Sequence, residues 1–413
     1  MDNITDIYNK NKKNILGNNL IWLEDFRNEI INGIKKEGLP NKKNEKWKYS
    51  DLNNINNIRY KQNIFDKTVK KQEIESIDLI DGRFYISEEL KDNENISIQY
   101  LNDSIKNLKN YFYFKKNLFI PDFATDINTV FLSDGLTISL NENKSFCLNI
   151  NYQNITNEIT GYIRNIIKVC KGSKLILIEN FTNTESRENS TNIFNNFWLE
   201  KDSTLEHYII QNLNFSANLI YSSVSFCYEN SQFNQLSFQS GSRSVKNQHT
   251  TNLLGANSSV NHNGIYFSKK KQFIENQTSV NHHVANCQSN QIYKGVLTDE
   301  STGVYLSNTK VESEAQKTQG YQLSRGILLS DNCKLNTKPE LKINADDVKC
   351  SHGSTIGTID DNQTFYLQSR GLDKNQSENL LIKAFYKDVL KLFTNNKSIE
   401  KINHIVESWL GDR

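Results

Sequence analysis

A repeated polar turn in the middle of the chain constrains the fold more than any other sequence feature. Serines at positions 173, 203, 231 and 258 recur every 27 to 30 residues, each within a short polar segment. After the first three, a run rich in Leu, Ile and Phe follows directly, as in Leu175–Ile178. Strand-only units repeated at a regular step are typical of a stacked β-solenoid, in which each turn buries its inner face on its neighbours.

The repeat is imperfect, and this leaves a second fold open. The next serine in such a turn is Ser301, which stands 43 residues after Ser258. A β-sandwich with long meanders would show the same alternation of short apolar runs and polar turns. The pattern alone therefore does not decide between a solenoid and a sandwich.

Helical periodicity flanks the β region on both sides. Apolar residues recur at helical spacing over 20–34, and Gly38-Leu39-Pro40 predicts the end of that helix. Further apolar stripes at helical spacing run over 380–390 and 399–409. The predicted domains are an N-terminal helical or mixed domain over 1–130, a β core over 131–362 and a C-terminal helical domain over 363–413.

The bulk composition excludes several classes of partner and compartment. The 49 Lys and Arg residues nearly balance the 47 Asp and Glu residues, so neither nucleic acid nor an acidic membrane is expected as the main partner. No apolar run reaches the length of a membrane span, and the N-terminus lacks the features of a secretory signal. The six cysteines are dispersed and form no C-x-x-C pair, which predicts reduced thiols in a cytoplasmic protein.

The sequence also lacks the common signatures of autonomous enzymes. It contains no G-x-x-x-x-G-K-[ST] phosphate loop and no G-x-G-x-x-G after a strand. It contains no H-E-x-x-H and no G-x-S-x-G. These absences argue against an ATPase, a dinucleotide enzyme, a zinc protease of that type or a serine hydrolase.

The densest group of chemically active side chains lies at Ala345-Asp346-Asp347-Val348-Lys349-Cys350-Ser351-His352-Gly353. On a strand, Cys350 and His352 point to the same side, and a thiolate beside an imidazole suits a soft transition metal or an iron–sulfur cluster. Two ligands do not complete a site, so further ligands would have to come from elsewhere. The alternative is an ordinary buried cysteine beside a surface histidine. Asp346 and Asp347 would face opposite sides of a strand, which weakens a paired-carboxylate interpretation.

Two further groups were weighed against simpler interpretations. His282 and His283 lie near Cys287, but adjacent histidines diverge on a strand, and we expect them on a solvent face. Trp47 and Tyr49 are two residues apart and could stack on a partner, although a satellite apolar cluster is the favoured interpretation.

The segment that contains Cys350 and His352 resembles the signature of the SufB/SufD family of iron–sulfur cluster assembly proteins. The match runs over 341–357 and continues in order over 328–332, 337–341, 365–371 and, near the N-terminus, 44–52. It covers roughly the last quarter of the chain and that N-terminal island. The Lys-Cys-Ser-His-Gly form is similar to the SufD branch, whereas the SufB branch usually has a Glu–His pair followed by Ala-Thr.

The resemblance implies a right-handed parallel β-helix core flanked by helical domains, and a non-catalytic scaffold. It implies a SufB subunit paired through the β-helix ends, and the SufC ATPase docked on the C-terminal helices. It also implies a transient iron–sulfur cluster or iron at the SufB interface, none being held stably by the isolated chain. The position of His352, and more weakly that of Cys350, is carried over as the site where the nascent cluster forms.

The docking surface for the ATPase is expected on the C-terminal apolar stripe, which looks wider than a terminal helix pair can bury internally. The residues assigned to it are Leu380, Leu381, Phe385 and Val389.

Two other functions remain open at this stage. One is a SufB-like scaffold or a homodimeric relative. The other is a β-helix polysaccharide lyase or hydrolase with Asp346 and Asp347 as acids, which the missing signal peptide and the diverging carboxylates disfavour.

Overall fold

The computed structural model describes residues 4–44, 47–50, 76–108, 122–153, 160–182 and 188–412. Within these ranges, helices lie at both ends of the chain and strands fill the middle. The helices are α1 (Ile4–Asn11), α2 (Ile21–Glu37), α3 (Glu88–Lys91), α4 (Leu101–Ser104), α5 (Phe123–Val130), α6 (Asp361–Ser369), α7 (Lys374–Leu390) and α8 (Asn396–Gly411), with 3-10 turns at Lys12–Asn14 and Ile105–Asn107. The boundaries proposed at residues 130 and 362 stay a prediction.

The strands form two long sheets. They are β1 (Ser76–Ile80), β2 (Arg83–Ile86), β3 (Ile96–Tyr100), β4 (Leu136–Leu140), β5 (Ser145–Gln153), β6 (Thr160–Val169), β7 (Lys174–Thr182), β8 (Ser190–Leu199), β9 (Thr204–Leu213), β10 (Asn218–Cys227), β11 (Gln232–Gly241), β12 (Ser244–Leu253), β13 (Ser259–Ser268), β14 (Phe273–His282), β15 (Gln288–Leu297), β16 (Thr302–Val311), β17 (Thr318–Leu328), β18 (Lys334–Ile343) and β19 (Val348–Gly357). In the described part of the chain, β1, β2 and the odd strands from β5 to β19 form one sheet, the odd sheet. The even sheet contains β3 and the even strands from β4 to β18.

The pairing shows a β-solenoid and rules out the sandwich. From β4 onward the chain alternates between the two sheets, and each strand pairs in parallel with the strand two places later, as β10 does with β12. A meander sandwich would pair neighbouring strands antiparallel. The inner faces of the two sheets pack on each other, and the core between them is mostly apolar at the N-terminal end. Antiparallel β2 and β3 close that end of the odd and even sheets.

The serine repeat marks one corner of the solenoid, where the chain passes from the even sheet to the odd sheet. The Ser203, Ser231 and Ser258 side chains are buried, and each hydroxyl donates to the carbonyl three residues earlier at 2.6 to 2.7 Å. The series continues at the same corner with Cys287 and Thr318, whereas Ser301 lies at the opposite corner. The repeat is therefore regular in the structure. The long step from Ser258 to Ser301 arose because the next two positions at this corner are not serines, whereas Ser301 belongs to the other corner.

The N-terminal helices confirm the first helical pattern in the described residues. Helix α2 ends at Glu37, and Gly38 follows with a φ of 80°, a left-handed conformation that a residue with a Cβ rarely adopts. Helix α5 begins with a capping box in which Asp122 accepts from the backbone of Ala124 and Thr125.

The C-terminal helices pack on the outer face of the odd sheet, which corrects the expected exposed stripe. Ile382, Tyr386 and Val389 of α7 lie in one buried cluster with outward-facing sheet residues such as Phe267. Trp409 of α8 makes an edge contact with the Phe267 ring, with centroids 5.1 Å apart. The apolar stripe is wide because it covers a sheet, so most of it is not available to a partner.

Candidate functional site

The C-terminal end of the solenoid is open. β19 and β18 are the last strands of the odd and even sheets, and among the described residues each pairs on one edge only. An unpaired strand edge presents backbone N–H and C=O groups that can pair with another chain. At the opposite end the last strands of the two sheets, β2 and β3, are short and run antiparallel to their neighbours, so the two ends differ.

Cys350 and His352 lie together at this open end. Both belong to β19, where Cys350 pairs in register with Gly320 and His352 pairs with Gln322. Gly320 and Gln322 belong to the inward-facing, buried set of β17, so Cys350 and His352 also point to the inner side of the odd sheet. No further turn in the described part of the chain covers them, and the His352 side chain is exposed while Cys350 is half-buried. The predicted same-face placement is confirmed, whereas their role as ligands stays a prediction.

The Cys350 thiol has an apolar floor. It packs against a small cluster formed by Val311, Ala315 and Ala345. Burial raises the pKa of the Cys350 thiol, partly offset by a backbone hydrogen bond from Gly320. A thiol of this kind is a weak nucleophile in the chain alone, and a metal would have to displace its proton.

The rest of the open end is a mixture of hydroxyl and apolar groups. Thr337 and Ser354 bridge the two sheets through their hydroxyls at 2.6 Å. Ile343 and Ile356 are among the exposed large apolar residues. Such a surface combines unpaired strand edges with apolar area, as expected of a protein interface.

Asp346 and Asp347 are not on a strand, which corrects the sequence interpretation. Both are exposed in the corner between β18 and β19. Among the described residues no group of three or more His, Cys, Asp or Glu side chains could hold a metal ion. Cys350 and His352 would therefore need ligands from outside this described set.

The expectation that His282 lies on a solvent face is wrong. It is fully buried at the end of β14, where its Nε2 lies 2.9 Å from the Ser289 hydroxyl. Burial lowers the pKa of His282 to about 4. His283 diverges from it, as predicted, and is half-buried with Nε2 3.2 Å from the Asn252 amide oxygen. Cys287 is the buried corner residue described above.

Trp47 belongs to a buried cluster, as favoured from the sequence. It is 2% exposed, meets the Phe123 ring edge-on, and lies under the ammonium of Lys246, 4.4 Å from its centroid. Lys246 in turn forms a buried ion pair with Glu275 at 2.5 Å. Residues 45–46 and 51–52 of the matching N-terminal motif lie outside the described residues.

The sequence analysis missed a column of polar side chains on the inner face of the odd sheet. Successive register positions are occupied by His207, Gln235, His262, Gln291, Gln322 and His352, which we term the polar column. All but His352 are at most 3% exposed. Each of the first five residues lies four positions after a corner residue of the serine series. The spacing from the repeated turn could therefore have predicted these positions from the sequence.

The polar column starts at a buried carboxylate. Glu179 accepts hydrogen bonds from His207 Nε2 at 2.7 Å, from the Tyr152 hydroxyl at 2.5 Å, from Tyr221 and from Asn195. Burial alone would raise the pKa of Glu179, but these hydrogen bonds outweigh it and lower the pKa. The carboxylate therefore stays ionised inside the solenoid.

The C-terminal residues predicted to bind the ATPase fall into different environments. Leu380 is 47% exposed, and Leu381 and Phe385 are half-buried, whereas Val389 is buried against the sheet and is withdrawn from the surface. Among the described residues, the most exposed aromatic side chains lie on α6, where Phe365 and Tyr366 are 72% and 57% exposed. Of the residues of α6, only Thr364 is buried, so almost the whole helix faces solvent.

Comparison with known proteins agrees with this architecture. Residues 152–385 match the family described as SUF system FeS cluster assembly, SufBD core domain, and residues 1–150 match the SufBD protein N-terminal region. The iron–sulfur cluster assembly protein SufD of Escherichia coli is 25% identical over 364 residues, which is 85% of each chain.

Two other relatives match shorter stretches. A SufBD family cluster assembly protein of Synechocystis is 42% identical over 102 residues, 25% of this chain and 22% of its own length. The chloroplastic protein ABCI7 of Arabidopsis thaliana is 37% identical over 123 residues, 30% of this chain and 26% of its own length.

Fold and comparisons together define the class of this molecule as a β-solenoid protein of iron–sulfur cluster assembly. The chain belongs to the SufBD family of the SUF system, because the core family model alone matches more than half of it. This assignment replaces the polysaccharide-lyase interpretation. No helix in the described ranges is long and apolar enough to cross a bilayer.

Proposed function

We propose that this chain is the SufD-type scaffold subunit of a complex with SufB and the SufC ATPase. The observation that carries the proposal is the open end of the solenoid, which presents Cys350 and His352 beside two unpaired strand edges. The Lys349–Gly353 segment and the match to the E. coli SufD protein support the SufD branch over the SufB branch.

The open end suits a partner that is itself the end of a two-sheet solenoid. Such a partner would extend both sheets at once, pairing with β18 and β19. The other end carries the short antiparallel strands β2 and β3 in place of two ten-residue parallel edges, so it does not offer the same surface, and the association is expected to stop at a pair. A SufB subunit meets this requirement, and a second copy of this chain is the competing occupant when SufB is absent.

The nascent cluster is the cargo of this interface. His352 is exposed and offers an imidazole nitrogen, and Cys350 offers a thiol from a half-buried position on the same face. The two leave coordination positions open, so the remaining ligands come from the SufB side. The cluster therefore exists only in the complex, and the isolated chain holds none stably.

The ATPase docks on the C-terminal helices, and α6 is its main contact. Phe365 and Tyr366 supply exposed aromatic area, and Leu380 at the start of the α7 stripe continues it. Nucleotide chemistry belongs to SufC, in agreement with the lack of a phosphate loop in this sequence. The cytoplasm is the proposed location, with a plastid as the site in a eukaryote.

Co-expression tests the proposal. The full chain is expressed with SufB and SufC, purified through a tag on this chain, and examined by size-exclusion chromatography with iron and sulfide assays. We expect one complex of all three proteins that gains iron and sulfide on reconstitution. Recovery of this chain as a homodimer in the presence of SufB would point to the homodimeric alternative and refute the proposed function.

A further inference from the structure

Gln322 lies directly beneath His352 in the polar column. The two residues are register partners on β17 and β19, and both point to the inner side of the odd sheet. Same-face side chains at such positions begin about 5 Å apart, within reach of an imidazole. Gln322 is 3% exposed, so it forms the floor of the open end.

Hydrogen bonds fix the Gln322 amide in one orientation. Its Nε2 donates to the Thr309 hydroxyl at 2.8 Å and to the Glu340 carbonyl at 3.1 Å, which uses both amide hydrogens. Its Oε1 accepts from the Ser307 hydroxyl at 3.1 Å. An amide oxygen accepts two hydrogen bonds, so Oε1 retains one acceptor position and the amide has no donor left.

A histidine that binds metal through one ring nitrogen needs an acceptor for the N–H of the other. That acceptor sets the tautomer and the orientation of the ring. At the open end, the Thr337 and Ser354 hydroxyls hydrogen-bond each other, Ser354 lies two residues further along β19, and the Cys350 sulfur is a weak acceptor. The free acceptor position of Gln322 Oε1 lies one strand below the imidazole.

We propose that Gln322 is the positioning residue for His352. Its Oε1 accepts the inward ring N–H of His352, and the outward nitrogen is thereby left with its lone pair facing the open end. The part of this inference that concerns iron rests on the proposed function. The proposed hydrogen bond involves only side chains of this chain, so it can be tested without partner or metal.

The contact can be tested by nitrogen NMR of the isolated full chain labelled with ¹⁵N in histidine. The chain has seven histidines, and a His352→Asn variant assigns the His352 ring. In alkaline buffer, where an imidazole is neutral, the ring nitrogen shifts report the tautomer. We expect one dominant tautomer in the wild type and a mixture in Gln322→Leu.

Gln291→Leu is the matched control. Gln291 is the register partner of Gln322 on β15, is fully buried and donates to the same Thr309 hydroxyl at 2.8 Å. Its loss should therefore disturb the interior without touching His352. An unchanged tautomer in Gln322→Leu, or an equal change in Gln291→Leu, would overturn the proposal.

The consequence for the cargo is measured separately in the complex with SufB and SufC. Loss of an outer hydrogen-bond partner of a metal-binding histidine typically weakens metal binding about 10- to 100-fold, so we expect a loss of iron and sulfide in Gln322→Leu of that order. If the tautomer responds to Gln322 but the complex loads fully without His352, the proposed function fails and the positioning contact stands. If His352 is needed for loading but Gln322→Leu changes neither readout, the positioning role fails alone.

Discussion

Glycines inside the solenoid make room for tyrosine rings. A Cβ on Gly295 would lie 2.3 Å from the Tyr266 ring, and one on Gly264 would lie 2.0 Å from the Tyr293 ring. Real atoms do not approach so closely, and the rings are buried with no space to move into. The two positions therefore have a steric requirement that local turn or strand rules do not reveal.

Gly295→Ala should destabilise the solenoid by about 1–3 kcal/mol, because the added methyl forces the Tyr266 ring or the strand to shift. Chemical denaturation with intrinsic fluorescence measures the change. Gly357→Ala is the control, since a Cβ at Gly357 has no atom within 4 Å and should change stability by less than about 0.5 kcal/mol. Equal midpoints for the two variants would show that the interior adapts freely.

At the open end, a single exposed side chain carries the proposed chemistry. His352→Ala should leave the fold within about 0.5 kcal/mol of wild type, because the residue is exposed. The complex with SufB and SufC should assemble normally and bind less iron and sulfide after reconstitution. Cys350→Ala should have the same or a smaller effect, since its thiol is half-buried against apolar side chains. Full loading of the His352→Ala complex would refute the ligand role, and loss of the complex would make the residue structural.

At the scale of the strands, three histidines share one buried hydrogen-bond network. Gln235 bridges them, accepting from His262 Nδ1 at 2.7 Å and donating towards His207 and His249 at 3.4 and 3.3 Å. Burial, with a smaller contribution from His207, lowers the pKa of His262 to about 3. Burial also lowers the pKa of His249 well below its usual range. Both imidazoles therefore stay neutral in the folded chain.

This network predicts a loss of stability in mild acid. A base whose folded pKa lies below its unfolded value of 6.5 takes up a proton only when unfolded, so stability falls as pH drops below 6.5 and continues to fall down to the folded pKa. Between about pH 7.5 and about pH 5, the free energy of unfolding should fall by about 2 kcal/mol less in His262→Gln than in the wild type. Urea denaturation at both pH values measures the free energy of unfolding of each protein. Glu179, whose pKa is lowered from 4.5, contributes only at still lower pH.

If the free energy of unfolding depends on pH equally in the wild type and in His262→Gln, the His262 imidazole is not held neutral in the folded chain. His404→Gln, at an exposed position on α8 outside the solenoid interior, is the matched histidine-to-glutamine control.

Among the elements that the structure describes, helix α6 is the best suited to the proposed contact with the ATPase. Phe365→Ala should sharply weaken SufC binding and leave folding intact, because the ring is 72% exposed. Phe215→Ala, at a solenoid corner and 39% exposed, is the matched control. Pull-down of SufC at equal protein concentration measures the difference. Wild-type SufC binding by Phe365→Ala would remove α6 from the interface.

Deleting residues 373–413 would not isolate that interaction. Helices α7 and α8 are anchored on the odd sheet, where Thr394 donates to the Glu206 carboxylate and Lys294 pairs with Asp388 at 2.7 Å. Their removal would expose Phe267 and its apolar neighbours. Point substitutions on α6 avoid this.

At the scale of the whole molecule, the two solenoid ends differ, and the proposed assembly uses the open one. Ile356→Lys together with Ile343→Lys should abolish pairing with SufB, because two charges would be buried against strand edges. The folded monomer should remain, since both side chains are already about two-fifths exposed. Ile21→Lys, on the exposed side of α2, is the control for charge. Analytical ultracentrifugation of mixtures with SufB measures the extent of pairing. Undiminished pairing of the double variant would place the interface elsewhere.

Local periodicity was enough to predict a β region in the middle of the chain, the helices at both ends and the same-face placement of Cys350 and His352, while the choice of a solenoid over a sandwich came from the family resemblance. The local features depend on neighbours close in sequence: strand alternation, helical spacing, and the glycine that follows α2. The helix end near Gly38 followed from the same local signals. Family resemblance supplied the expected function and partners.

Tertiary structure alone decided which side chains are covered. His282 is buried and Val389 packs on the sheet because strands and helices far apart in sequence meet there, and one-dimensional patterns do not specify which faces meet. The placement of Gln322 under His352 depends on the register between two strands 30 residues apart. The sequence by itself determined what each element is, and stacking determined which residues lie inside, which end stays open, and what lies beneath the exposed histidine.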